Sequence, residues 1–401
     1  MYVLDEKKET NSLDVNMSER FWILLAEYKR TYFAAGTQGQ LLRASILDRL
    51  IDERPDQKKE NKAPELPTRT TTSLTAKTAP PSSIGMLTGS TKNTHYALGL
   101  DIAKLATSKG ITLDVKPSSG SLDNIRRMAS NENAGLAIIQ SDVIEFLSGR
   151  PSSSNQTVIN NLRSVFTLYN EEIHLLARKD IKTLSDLSRK RVIVGELGSG
   201  TPITANMVFN KINVDIEPIA GITPEQALKK LILGDVDAIF FVGGKPISYI
   251  NSLLEMKNNE KLRKYTEGIH LIPIDDERLF DAYPKAKITP TDYQSKNGLH
   301  RLTDSDVATI SVQALLVSYD FSKGDSSYYK LRCKQINQLS SAIRDNLQTM
   351  ASGNGAYHPI WSQVNLDQTA KLAKSRCVED ASPIANDLKA IDCYLETGKS
   401  C

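Results

Sequence analysis

The feature that most constrains this chain is a short pattern that occurs twice: an apolar run, a turn of Gly, Ser and Thr, then the start of an amphipathic helix. The first copy is the apolar run 84–87, the turn Thr88-Gly89-Ser90-Thr91, and a helical pattern carrying Tyr96, Leu98, Leu100, Ile102, Ala103, Leu105 and Ala106. The second is the run 191–194, the turn Gly195-Glu196-Leu197-Gly198-Ser199-Gly200-Thr201, and a helix through Ala205, Val208 and Phe209. A strand that ends in small hydroxyl residues and feeds a helix presents backbone N–H groups at a positive dipole end. That arrangement binds anions. One copy would suit a plain strand-to-helix connection with a hydroxyl cap; two copies suggest two α/β units whose turns face one ligand at the carboxyl ends of their strands.

The rest of the chain supports alternation. Strands are expected at 113–115 and 136–139, with a helix at 122–130 between them and another at 143–147. Ser141 or Asp142 is the natural N-cap of that last helix. A Ser-rich loop is expected at 149–156, then two consecutive strands, 163–169 and 172–178, where the chain crosses between domains. A charged helix at 184–190, a helix through Ala227, Leu228, Leu231 and Ile232, and strands at 236–242 and 269–273 follow. Residues 279–296 read as irregular, 309–318 as the strand that crosses back, and Leu331, Ile336, Leu339, Ile343 and Leu347 as one face of a long helix. Beyond Leu366 the pattern is helical at most. This is βαβ logic, so a mostly parallel sheet covered on both faces is expected.

Before the first strand, Phe21, Leu24, Leu25, Tyr28 and Tyr32, then Leu41, Leu42, Ile46, Leu47, Leu50 and Ile51, suggest a helical hairpin, followed by a stretch rich in Pro and Thr. The expected organisation is a helical extension over 1–52, a linker over 53–83, one lobe from 84–170 with 310–366, a second from 171–309, and a cysteine-bearing tail over 367–401. A net charge of +3 with no basic stripe gives no reason to invoke nucleic acid. No apolar run is long enough to span a bilayer, so direct membrane insertion is not expected. No signal-peptide core is visible; an export signal either lies outside this sequence or the protein stays in the cytoplasm. The cysteines, Cys333, Cys377, Cys393 and Cys401, form no CxxC pair and allow three pairings, or stay as thiols. The histidines His95, His174, His270, His300 and His358 make no metal-spaced pair, and no metal or cofactor is expected.

The runs TGSTKNTHYALG, KPSSGSLDNIRRMAS, LAIIQSD, LGSGT and FFVGGKP, in this order, resemble the TAXI family of solute receptors, over residues 84–365. The resemblance implies a two-lobed, type II periplasmic-binding-protein-like clamshell with two hinge strands. It implies non-catalytic capture of a small organic anion or amino acid, of the glutamate or 2-oxoglutarate class, for a TRAP-type membrane permease. It implies a periplasmic or membrane-associated location. Motif by motif it implicates Gly89, Ser90, Thr91, Asn93 and Tyr96; Ser119; Gln140, Ser141 and Asp142; Gly198, Ser199, Gly200 and Thr201; and Phe241, Val242 and Gly243. The chain departs from the family at Lys92 and Asn93, where two glycines are usual; Lys92 either crowds the pocket or adds a charge to it.

Among other residues, Tyr96 and Tyr169 could pack over a ligand, and Arg178 and Lys245 are candidates to pair an anion. Arg126-Arg127, Glu171-Glu172 and Asp275-Asp276-Glu277 read as solvated charges. No GxSxG elbow, HExxH pair or Walker loop is present, which leaves an enzyme on the same fold without a motif. A third reading is a ligand sensor or scaffold whose N-terminal helices engage a partner.

Overall fold

The computed structural model describes residues 83–130, 134–149, 153–353 and 355–378, together with Tyr394. The expected helical extension, nearly all of the linker, and Cys393 and Cys401 lie outside the described residues.

The chain opens with β1 (Ser83–Leu87), which runs parallel to β2 (Thr112–Lys116) and β3 (Ala134–Gln140). Helices α1 (Thr94–Ser108) and α2 (Ser121–Ala129) make the crossovers. All of β3 is buried, as a central strand covered on both faces must be. The pleat sorts its side chains into two cores. Leu136 and Ile138 join Ile84 and Met86 beneath α1, while Ala137 and Ile139 join Leu87 on the opposite face. Helices α3 (Ser141–Ser148) and α4 (Ser153–Asn161) lead into β4 (Leu162–Ala177).

The second α/β unit contains β5 (Arg191–Ile193), α5 (Thr201–Lys211), β6 (Glu217–Ile219), α6 (Pro224–Leu233) and β7 (Ala238–Gly243). Helix α6 stops at Gly234, whose φ of 82° is the left-handed closing conformation that glycine adopts without strain. Helices α7 (Ser248–Lys257) and α8 (Glu260–Thr266) and strands β8 (His270–Leu271) and β9 (Lys285–Ile288) follow. Strand β10 (Val307–Tyr319) then returns to the first unit, and the long helix α9 (Ser327–Ala351) covers its core there.

Strand order is β2-β1-β3-β10-β4-β7-β5-β6, with β8 on β4 and β9 on β10. The outer pairs are parallel within each unit, and the centre is antiparallel. Both central strands serve both units. Strand β4 pairs with β10 over 162–172 and with β7 over 172–177; β10 pairs with β9 over 307–310 and with β3 over 314–318. Two strands that belong to both sheets make two hinges, and the molecule is the two-lobed clamshell expected from the sequence. A disulfide joins Cys333 of α9 to Cys377, with Cα atoms 5.0 Å apart.

Several local expectations are corrected. The two strands expected around Glu171-Glu172 are one continuous strand, because these carboxylates lie inside the hinge rather than in a solvated break. Residues 153–161 are helix, not loop. The charged helix at 184–190 is a single 3-10 turn (Leu184–Leu187), closed by reciprocal hydrogen bonds between Thr183 and Asp186. The N-cap of α3 is Gln140, so Ser141 and Asp142 lie inside the helix and bond elsewhere. Residues 367–378 form turns and a bridge from Lys374 to Ser164, with no helix. Leu100 is 43 % exposed and lies off the buried face of α1. Helices α7 and α8 and strand β6 were not anticipated at all.

Candidate functional site

The two hydroxyl-rich turns meet where the hinge strands cross. In the first, Thr88 is buried and donates from Oγ1 to the Lys116 carbonyl at 3.0 Å, and Ser118 N donates to Gly89 O at 3.1 Å. Asn124, fully buried in α2, donates from Nδ2 to Thr88 O at 2.7 Å and to Ile138 O at 2.8 Å. It thereby clamps the ends of β1 and β3 at one height. Helix α1 then starts after Asn93 with no side-chain cap. Helix α5 likewise starts at Gly200 with no side-chain cap, and Ser199 Oγ donates to Glu196 O at 2.7 Å to close the turn before it. Two helix starts without caps leave first-turn N–H groups for a ligand.

The lobes touch across this cleft. Asp123 N of α2 donates to Gly198 O at 2.9 Å, and Thr204 Oγ1 of α5 donates to Asp142 Oδ2 of α3 at 2.6 Å. At the mouth Lys92 Nζ lies 3.1 Å from Glu225 Oε1, with both side chains largely in solvent. Gly200 has no room for a side chain: a Cβ there would sit 2.8 Å from Gln140 Cδ and 2.9 Å from Val143 Cγ2, both of the other lobe.

Enclosed between the lobes is a cavity of about 320 Å³. Of the residues expected from sequence, Gly89, Ser90, Thr91, Asn93, Ser119, Gln140, Ser199, Gly200, Thr201, Phe241, Val242 and Gly243 line it. Tyr96, Ser141, Asp142 and Gly198 do not. Tyr96 lies half-buried on α1. Ser141 Oγ accepts from Gln313 N of β10 at 3.1 Å, Asp142 holds Thr204, and Gly198 packs behind the cleft against Ser119. Lys245 is not available to an anion: its Nζ lies 2.9 Å from Asp292 Oδ2 and donates to Lys287 O at 2.7 Å. Arg178 also lies away from the cavity, against Gly234.

Lys92 and Tyr169, offered by the sequence as a pocket charge and a ring over the ligand, also line it, and the structure adds His95, Glu171, Glu196, Glu225 and Tyr249. Glu171 and its neighbour Glu172 are 4 % and 7 % exposed, which corrects their reading as solvated charges. Glu171 Oε1 lies 3.1 Å from His95 Nε2, a close approach without the alignment of a hydrogen bond. Glu171 Oε2, Gln140 Oε1 and the Tyr249 hydroxyl are buried and have no hydrogen-bond partner among the described residues. Buried polar atoms are nearly always paired, so several orphans around one cavity mark a place for a ligand or ordered water. A pair of acidic neighbours in a run of apolar residues is the one signal for Glu171 in the sequence, and Glu196 lies inside the second turn itself; nothing there points to Glu225 or Tyr249.

Burial governs the titration of this region. It raises the Asp142 carboxyl to about 7, against the lowering effect of the Thr204 hydroxyl, and the charge of Glu171 pushes the same way as burial. It raises Glu172 to about 7 against the attraction of Lys245. Glu196 is raised by burial and by Glu225, whereas Glu225 is lowered, first by its own backbone amide and further by Lys92. Behind the cleft, His174 is held neutral by burial, with its pKa lowered to about 3. Its Nδ1 pairs with Glu172 O at 3.0 Å and its Nε2 with the Tyr293 hydroxyl at 2.8 Å, and that hydroxyl accepts from Ile247 N at 3.0 Å. The bond to a carbonyl requires the proton on Nδ1, so the chain runs from Ile247 N–H through Tyr293 to His174 and on to the hinge strand. It ties the cleft-lining residues 246–249 to β4. Among the described residues no group of three His, Cys, Asp or Glu could hold a metal ion, and no helix is long and apolar enough to cross a membrane.

Comparison with solved structures gives distant likenesses. The substrate-binding protein of an amino acid ABC transporter is 12 % identical, with 66 % of this chain and 94 % of that one covered and a TM-score of 0.37. The GluR0 ligand-binding core in complex with L-glutamate is 12 % identical over 67 % of this chain and 96 % of that one, with a TM-score of 0.37. The amino acid ABC transporter substrate-binding protein AbpA from Streptococcus pneumoniae, bound to L-arginine, is 14 % identical over 66 % and 90 %, with a TM-score of 0.36. The model of the NMT1-like family matches residues 86–372, from the first strand to the segment beyond the last long helix. The chain belongs to the NMT1-like family.

Proposed function

We propose that this protein is a non-catalytic solute-binding protein that captures a small carboxylate or amino acid, of the glutamate or 2-oxoglutarate class, between its lobes for delivery to a TRAP-type membrane transporter. The observation that carries this reading is the set of buried, unpartnered polar atoms contributed around one cavity at the hinge: Gln140 Oε1, Glu171 Oε2 and the Tyr249 hydroxyl. A ligand carboxylate would take its hydrogen bonds from the N–H groups of the uncapped turns and from hydroxyls such as Ser90, Ser119 and Thr201, with little need of charged side chains. Closure about β4 and β10 would bring the two sets of donors together and shut out water. The transporter type rests on the TAXI resemblance of the sequence motifs. The Cys333–Cys377 bridge favours an oxidising compartment, in keeping with a receptor outside the cytoplasm. We place the lobe boundaries on the hinge strands, at 170/171 and 309/310.

A thermal-shift panel of amino acids and dicarboxylates tests this reading. A ligand that binds only the folded state stabilises it by about 2.7 kcal/mol at 100-fold over its dissociation constant. In a protein of this size that raises the melting midpoint by roughly 3–4 °C. A shift of that size with at least one acid is expected; a flat response across the panel would count against a solute receptor.

A further inference from the structure

From the floor of the cavity we infer that the cleft selects a solute bearing a primary ammonium group, which Glu171 Oε2 receives, and that it discriminates against dianions lacking one. This rests on the solute-binding reading and chooses between the ligand classes it admits.

Glu171 sits on β4 opposite Val312 of β10, in the crossing of the hinge strands. It lines the cavity, is 4 % exposed, and leaves Oε2 without a partner. Two further buried carboxyls, Asp142 and Glu172, lie close by; burial raises both to about 7, so they add acid groups and no cation to the region. Lys245 is committed to Asp292, and His95 Nε2 lies beside Oε1 of Glu171, which leaves Oε2 as the atom open to a donor. Toward the mouth, Glu196 and Glu225 face the same cavity, and Lys92 is already paired with Glu225. Among the described residues no arginine lines the cavity, and Lys92 is the one lysine that does.

A dianion such as 2-oxoglutarate would thus bring two negative charges into a closed cleft already rich in carboxylates. Desolvated like charges are strongly disfavoured. An ammonium does the reverse. It donates a charge-assisted hydrogen bond to the orphan oxygen, worth more than a neutral one, and brings a positive charge to a lining that holds Glu171, Glu196 and Glu225. The Tyr169 ring closes over the same corner, its centroid 6.2 Å from that of His95. The carboxylate of an amino acid then falls to the uncapped turns, so a zwitterion meets complementary groups at both ends.

The test is a calorimetric titration of matched pairs differing only in the amino group: L-glutamate against glutarate, and L-glutamine against glutaramate. The amino member is expected to bind at least about tenfold more tightly, the value of one hydrogen bond to a charged group. Glu171→Gln, which keeps the shape, is expected to reduce that preference to about threefold or less at an unchanged melting midpoint. Equal or tighter binding of the des-amino member by the unmodified protein would overturn the inference while leaving the receptor reading intact; so would a folded Glu171→Gln variant that keeps the full preference. Failure of every member of every pair to bind would overturn both.

Discussion

Asp142 is the residue at which burial, charge and lobe contact meet. It is 4 % exposed, accepts from Thr204 of the other lobe, and holds its proton up to about pH 7. In the unfolded chain it would release that proton near the ordinary aspartate value of 3.8. The folded state therefore binds more protons between these values, and the stability from this site is full below pH 4 and lost as pH rises through about 7. The loss is on the order of 4 kcal/mol at most, at about 1.4 kcal/mol per pKa unit. Glu172 acts in the same direction, and His174, with its lowered pKa, acts in the opposite one below 6.5. Asp142→Asn removes one titration and keeps a hydrogen-bonding side chain. Its denaturation midpoint is expected to gain on that of the unmodified protein as pH goes from 5 to 7.5. A difference that stays constant, or shrinks, over that interval would refute this account of the site. At this scale the glycines and hydroxyls of the turns were legible, because a strand, a small-residue turn and a helix start are local in sequence. The acids were not. Glu171-Glu172 looks like any solvated pair until β10 is laid against β4.

Elements with a clear apolar pattern are readable in the sequence, and those whose polar residues interrupt it are not. The helices after each turn, the return strand and α9 announced themselves through periodicity. Strand β4 was split in the reading because its polar centre breaks the apolar pattern, and only pairing with β10 on one stretch and β7 on the next shows it as one hinge. Likewise the segment 367–378 has no local signature; it is fixed by the Cys333–Cys377 bridge and by strand-like contact with Ser164. That bridge closes a loop of 44 residues onto α9. By the entropy of loop closure it contributes about 4 kcal/mol as an upper figure. Cys333→Ser is expected to lower unfolding free energy in urea by about 2–4 kcal/mol. A reduced protein as stable as the oxidised one would show that the last described segment is held by packing alone.

For the whole molecule, two cores per lobe make each half rigid, and the two shared strands let the halves move as units about the cavity. The contacts that span the gap are both polar and apolar: Asp123 N to Gly198 O, Thr204 to Asp142, Lys92 to Glu225 and Gln363 Nε2 to Lys245 O, with Ile203 of α5 buried among Leu122, Ile139 and Val143 of the other lobe. The clamshell was readable from the repeat of strand, turn and helix and from the long return strand, since those fix which strand ends face each other. The ligand chemistry was not, because it depends on which side chains the seam brings together. Gly200 packs directly against Gln140 and Val143 of the other lobe, and its φ of −80° lets other residues occupy it without backbone strain. Gly200→Val should therefore leave each lobe folded and keep the lobes apart. The decisive measurement is calorimetry of the unmodified protein and this variant with the strongest ligand of the panel, beside far-UV circular dichroism of both. One ligand per chain in the unmodified protein, and affinity lowered by about 100-fold or more in a variant of unchanged spectrum, is the predicted result for a site completed by both lobes. Equal affinity in the two would place the ligand somewhere other than the hinge cleft and contradict the account.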